Sequence, residues 1–334
     1  MKIRAQFICF CLLLATCCLV SACGTGIAGS SSSNPSLPAS IAVSNGPQLG
    51  YVWDPTIKAL RPILGIPGSS QLGQPVTTAG LYVTGAASAA SAIGLLQETD
   101  GSIDSIALPS GTPVRISGVT AAAGTTILFA PSGQNAILLA PGSTSVTLLI
   151  ALNGSPLAQV LTAPSTILTA AVSDTAQVAV AYGSGPRTVS LLTGGGAQLL
   201  SLASVGGLSF LPKADDLLTA DSSSGTVTLI RHTSTAPAQQ TFTSSTIQSP
   251  IAIGASQDGN YALVANGGDT SVVRLDLSGA SAPLRIACTC QPTQLSAFSG
   301  NAVFALTAPG VSTSWMVDAS AATPQTLFIP AVKP

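Results

Sequence analysis

A repeat period near 42 residues, a charged fraction of only 7%, and many short apolar runs cut by Gly and Pro predict an all-β fold. The arrangement they predict is a β-propeller. The average soluble chain is about 25% charged. A helical protein needs Glu, Lys and Arg on its wet faces. A sheet covers its wet positions with Ser and Thr, and these, with Gly, Ala and Pro, fill the polar positions of this chain. One sheet of four short strands cannot bury both its faces. Packing such sheets radially buries them against one another, which is the physical reason a period of this length reads as propeller blades.

The chain opens on a leader. Lys2 and Arg4 form a positive start, and residues 7–20 carry no charge. That apolar run has the length of a signal-peptide core and is too short to span a membrane comfortably. It ends in Val20-Ser21-Ala22-Cys23, with the small residues a signal peptidase pocket admits. Residues 1–22 therefore read as a signal peptide. A Cys directly after the cut resembles the bacterial lipobox. That resemblance implies a diacylglycerol on the Cys23 thiol and a further acyl chain, such as palmitate, on the new amino group. Several acyl chains at about 0.8 kcal/mol per buried CH₂ give a stable anchor where one chain does not. Gly24 in place of Asp implies, in the same pattern, the outer membrane. The expected location is thus the bacterial cell envelope, attached to the membrane through an N-terminal lipid.

Residues 23–39 follow as the lipidated Cys and a Ser/Gly/Pro-rich stretch. Composition predicts a flexible tether reaching about 20–25 Å. Lys2 and Arg4 leave with the leader, so the mature chain keeps nine cations against twelve anions, a net charge of −3. That balance excludes a phosphate-binding surface for nucleic acid, which needs clustered Lys and Arg.

Residues 40–334 carry the repeat. Apolar runs ending at Ala140, Ala181, Ala220, Ala265 and Thr307 are spaced by 41, 39, 45 and 42 residues. Each is followed by a Gly-bearing turn and a second run, such as Val146–Leu149, Thr188–Leu192 or Thr226–Ile230. Outer strands are expected near Val114–Ile116, Ala158–Val160, Gln198–Leu200, Thr241–Phe242, Leu284–Ile286 and Thr326–Phe328. Leu95-Leu96 and Ile103–Ile106 read as one more blade. Tyr51–Trp53 with Leu60–Leu64 reads as a hairpin that joins the C-terminal strands in one blade and closes the ring. The expected count is seven blades, with six or eight as alternatives because residues 40–120 repeat poorly.

The unit at 256–277 resembles the YVTN-type propeller repeat through Ser256, Asp258, Gly259, Val264, Ala265, Asn266, Val272 and Asp276. It departs at Gln257, where the motif has Pro, and at Leu263, where it has Tyr. The remaining repeat residues match in period and layout alone. The resemblance implies a fold and little about activity.

Cys288 and Cys290 are the two cysteines of the body. In an exported protein two cysteines read as one disulfide. In a regular strand, however, residues i and i+2 stand roughly 6.7 Å apart, at the limit of disulfide geometry. A disulfide that needs a local kink, two free thiols, and a two-thiolate metal site remain the readings.

Chemistry is sparse. His232 is the only histidine, at a predicted strand end beside Arg231. Glu98, Asp100 and Asp104 surround Gly101, and Asp215, Asp216 and Asp221 lie near Lys213. Neither group has the alternating carboxylates of a calcium loop, and both read as solvated turns. There is no nucleophile elbow, dinucleotide fingerprint or P-loop. No metal and no cofactor is expected. Trp53 and Trp315 stand alone, which excludes the Trp-rich blades of quinone-dependent propellers. The function expected is a non-enzymatic binding or scaffold module for a protein or glycan partner in the envelope. A propeller hydrolase of the lactonase class is one alternative, requiring carboxylates, Asn or His converging at one channel mouth. A structural envelope component is the other.

Overall fold

The computed structural model describes residues 46–76, 81–309 and 313–330. The leader, Cys23 and the tether lie outside these, as do residues 40–45. The described residues form 27 strands and no helix, in seven sheets. Blade 1 is β1 (Gln48–Asp54), β2 (Ala59–Ile66) and β3 (Ser69–Leu72). Blade 2 is β4 (Tyr82–Ala87), β5 (Ile93–Glu98), β6 (Ser102–Ala107) and β7 (Val114–Thr120). Blade 3 is β8 (Thr126–Phe129), β9 (Ala136–Leu139), β10 (Ser145–Ile150) and β11 (Leu157–Thr162). Blade 4 is β12 (Ile167–Val172), β13 (Val178–Tyr182), β14 (Arg187–Leu191) and β15 (Ala197–Leu202). Blade 5 is β16 (Val205–Phe210), β17 (Leu217–Asp221), β18 (Thr226–Arg231) and β19 (Ala238–Thr243). Blade 6 is β20 (Pro250–Ala255), β21 (Tyr261–Asn266), β22 (Ser271–Asp276) and β23 (Leu284–Ala287). Blade 7 is β24 (Ser296–Ala297), β25 (Val303–Ala305), β26 (Ser314–Asp318) and β27 (Gln325–Ile329). Every sheet is an antiparallel meander in chain order, so the fold is a seven-bladed β-propeller.

The second strand of each blade shows why these sequences fold this way. Side chains alternate between sheet faces, and here both faces are covered. Val178 and Val180 of β13 face blade 3, while Ala179 and Ala181 face blade 5. Ala262 and Val264 of β21 face blade 5, and Leu263 faces blade 7. The core is therefore seven wedges of apolar side chains, one between each pair of neighbouring blades. The wedges narrow toward the axis, where small residues are required. A Cβ on Gly254 would stand 2.7 Å from Cε1 of Phe304 in the next blade.

The turns that follow the innermost strands of blades 2 to 7 share one face, tied by hydrogen bonds from blade to blade. Asp174 accepts from the Ser132 N–H at 2.7 Å and the Lys213 N–H at 2.9 Å, so one carboxylate joins blades 3, 4 and 5. Asn301 donates to Asp258 at 2.8 Å and accepts from its N–H at 2.9 Å. Within the turn after β20, Asp258 accepts from the Ser256 hydroxyl and the Asn260 N–H, and Gly259 supplies the left-handed residue at φ 72°.

The ring closes differently from the sequence expectation. The N-terminal hairpin does not join the C-terminal strands in one sheet. It adds β3 and forms blade 1, and β24–β27 form blade 7 by themselves. A blade of three strands delivers the chain to the face where the next blade begins only when its first strand runs opposite to the other inner strands. The contacts agree: the Ser299 N–H, in the turn after β24, donates to Leu49 O at 2.6 Å, and Phe298 packs on Gly50. The start of β1 thus lies at the face where the other inner strands end. Besides that hydrogen bond, closure is by side-chain packing of Leu49 and Ile63 on Phe298, Met316 and Ile329.

Candidate functional site

The inner strands of all seven blades surround an axial channel with a cavity volume of about 890 Å³. Its wall includes Tyr51 and Trp53 from β1, Thr84 and Ala86 from β4, and Leu128 and Phe129 from β8. Ala170 from β12, Ser209 from β16, Ala252 from β20 and Ala297 from β24 continue it. No Asp, Glu, Lys, Arg, His or Asn is among the described residues that line it. The polar side chains are hydroxyls and the single amide of Gln294. Each inner strand also stands at the end of its sheet, so one backbone edge has no strand partner. The channel therefore offers uncharged peptide donors and acceptors between apolar side chains.

One feature of the inner strands left no trace in composition. The pairings of β4 with β5, β12 with β13, β16 with β17 and β20 with β21 each slip by one residue near the strand start. The extra residue is Val83, Leu168, Gly206 or Ile251. A bulge re-aims the side chain it carries. Val83, Leu168 and Ile251 are 37%, 46% and 41% exposed, on alternate blades of the face opposite the turn belt. A bulge is a matter of register, and no residue type marks it.

None of the titratable residues singled out in the sequence lines the channel, and Asp104, Asp216 and Asp221 are buried by neighbouring strands and turns rather than solvated. His232 is exposed on the turn between β18 and β19, and its backbone N–H donates to Asp216 at 2.9 Å. Asp215 accepts from the Thr175 hydroxyl of the neighbouring blade and from the Ser234 hydroxyl at 3.1 Å. Asp221 caps a loop: four backbone N–H groups, of Ala203, Ser204, Ser223 and Ser224, donate to it. Burial pushes this carboxyl up, but the four donors more than offset that and hold it below the ordinary carboxylate range.

Glu98, Asp100 and Asp104 do cluster, and Arg115 fills the space between them. Its guanidinium lies 2.6 Å from Glu98, 3.6 Å from Asp100 and 3.4 Å from Asp104. The cation of this cluster is supplied by the chain itself, from the outer strand β7. Burial raises the Asp104 carboxyl, and neighbouring Glu98 raises it further; Arg115 and the Tyr82 hydroxyl offset this only in part. Burial, with Asp104 beside it, pushes the Tyr82 phenol to about 12. Among the described residues no group of three His, Cys, Asp or Glu is arranged to hold a metal.

Cys288 and Cys290 lie just past the end of β23, with Cα atoms 5.1 Å apart and sulfurs at bonding distance, 1.96 Å. Leaving the strand shortens the separation that a regular i, i+2 pair imposes. Trp53 lines the channel, whereas Trp315 packs edge-on against Phe328 with ring centroids 6.1 Å apart.

Fold and site together define a seven-bladed propeller with an uncharged axial channel. Solved structures similar to it are propellers of varied function. A functionally unknown protein from Desulfotomaculum acetoxidans aligns with TM-score 0.60 and 11% identity, over 86% of this chain and 100% of that one. AztD from Citrobacter koseri, in its apo form, aligns with TM-score 0.56 and 13% identity, over 86% and 83%. Virginiamycin B lyase from Staphylococcus aureus aligns with TM-score 0.52 and 11% identity, over 72% and 82%. At these identities the likeness is one of fold. No protein-family model matches the chain, and no curated protein matches it.

Proposed function

We propose that the protein is a lipid-anchored module of the bacterial cell envelope that binds a protein partner without catalysis. The observation that carries this reading is the channel wall. In propeller hydrolases of the lactonase class, chemistry needs carboxylates, amides or imidazole converging on the axis, and here no such set lines it. The Staphylococcus lyase has a catalytically inactive His-to-Ala variant. The only histidine of this chain sits on an exposed peripheral turn.

A protein partner fits better than a glycan. Glycan recognition draws on aromatic platforms and charged or amide side chains, while Val83, Leu168 and Ile251 are exposed apolar residues near the starts of inner strands on alternate blades, a surface that suits a protein partner.

The test is crosslinking and capture of the lipidated chain from native envelopes, beside Cys23→Ala and the double variant Leu168→Asp/Ile251→Asp. One stoichiometric protein partner is expected, lost in the double variant. Recovery of the chain alone, or capture indifferent to both substitutions, overturns the reading.

A further inference from the structure

We propose that the axial channel is itself a binding site, and that its ligand is a neutral small molecule with an apolar body and a few hydrogen-bonding groups. The inference rests on the non-catalytic reading of the channel and not on the protein partner.

Size is the first argument. Small-molecule sites enclose about 300–1,000 Å³, and the channel's cavity of about 890 Å³ lies within that range. Chemistry is the second. A bound ion leaves water and needs an opposite charge or a dense set of donors in return. The wall supplies no charged side chain, so an ionic ligand loses hydration with no opposite charge in return. A neutral ligand meets no such barrier. Trp53 and Phe129 offer flat apolar surface, while Thr84, Ser209 and the unpaired inner edges offer donors and acceptors. Construction is the third. Seven separate inner strands build the wall, and residues of six of them pack into the apolar wedges between blades, so most of the wall is formed before a ligand arrives.

The experiment uses benzophenone as a neutral photo-probe and 4-benzoylbenzoate as its anionic relative. The full lipidated chain is irradiated with each, and adducts are mapped by peptide mass spectrometry. Mapping separates labelling of the channel from labelling of the acyl chains. Benzophenone adducts are expected on the inner strands, at Thr84–Ala87 and Ala252–Ala255, about tenfold above those of the anion, the factor of a 1.4 kcal/mol preference. Ala297→Trp, which fills the channel, and Ser209→Asp, which charges it, are expected to abolish these adducts. The thermal unfolding midpoint shows which variants fold; either one alone suffices. Adducts confined to outer strands or the N-terminal segment, equal labelling by the anion, or labelling unchanged in a folded variant overturns the inference. Partner capture measured on the same variants separates this outcome from failure of the binding-module reading.

Discussion

Two aspartates show how opposite environments set opposite consequences for the same residue type. Asp221 has its pKa depressed by four N–H donors, so its contribution to stability is present above the unfolded value near 3.9 and is lost as pH falls through the folded value. Asp221→Ala is expected to cost about 2 kcal/mol at pH 7, since it removes hydrogen bonds to a charged acceptor. The penalty should shrink in acid, as read from urea unfolding at pH 7 and pH 3. Asp104 is the reverse. Its pKa is raised, so the stability linked to its protonation is present below the unfolded value and is lost as pH rises through the folded one. Ionising Asp104 in the fold is thus costly, because the carboxyl is buried and stands beside Glu98. Asp104→Asn, which can still accept from the Tyr82 hydroxyl, should leave the pH 7 midpoint unchanged or raise it, and a fall comparable to that of Asp221→Ala would refute the assignment. The Cys288–Cys290 bridge belongs to this scale too. It closes a loop of two peptide steps, so chain entropy gives it only about 1.5 kcal/mol. Alkylation in denaturant without reductant should label neither cysteine, and reduction should move the midpoint little.

Strands were the most legible part of the sequence. The runs at 137–140, 178–181, 217–220 and 262–265 are recognisable because each belongs to the second strand of a blade, buried on both faces and hence apolar apart from Thr219. The outer strands were placed through the period rather than through their own pattern, since a solvated edge imposes little on composition. What escaped was register and polarity. The bulges at Val83, Leu168 and Ile251 and the reversed course of β1 depend on how strands pair, and pairing is set by partners distant in sequence. The channel was foreseen only as a place to look, because small uncharged residues serve equally in a wall and in a turn. Outer strand β11 raises a separate issue. It reads LAQVLT, carries no charge, and exposes Leu157 at 67% and Val160 at 66%. Natural edges use Lys or Pro to block pairing with another chain. Val160→Lys should therefore suppress concentration-dependent light scattering while leaving the unfolding midpoint within about 0.5 kcal/mol. Unchanged scattering would show that this edge is not a point of self-association.

At the scale of the whole molecule, a ring of blades can open only at an interface, and the one between blades 7 and 1 differs from the rest. Sharing strands of both chain ends in one sheet would clasp the ring with a ladder of hydrogen bonds, whereas here each end builds its own blade. Closure then falls on the wedge in which Phe298, 2% exposed, packs on Gly50 beside Leu49 and Met316. Removing a buried Phe side chain costs about 3–5 kcal/mol, partly through the cavity left behind. Phe210, also 2% exposed, lies in the wedge between blades 4 and 5, an interior link of the same ring. Equal transfer terms predict similar losses in global stability for Phe298→Ala and Phe210→Ala. Their hydrogen exchange should nevertheless differ. Loosening the interior link leaves blades 4 and 5 joined by the chain itself, through the short connection from β15 to β16. Loosening the closing wedge frees two blades that no neighbouring stretch of chain connects, and sub-global opening there becomes the lowest-energy path. Phe298→Ala should therefore speed exchange in β1, β25 and β26 well below the global unfolding free energy, while Phe210→Ala should speed exchange more evenly around the ring. Identical exchange patterns in the two variants would mean that the closing interface is no weaker than the other six.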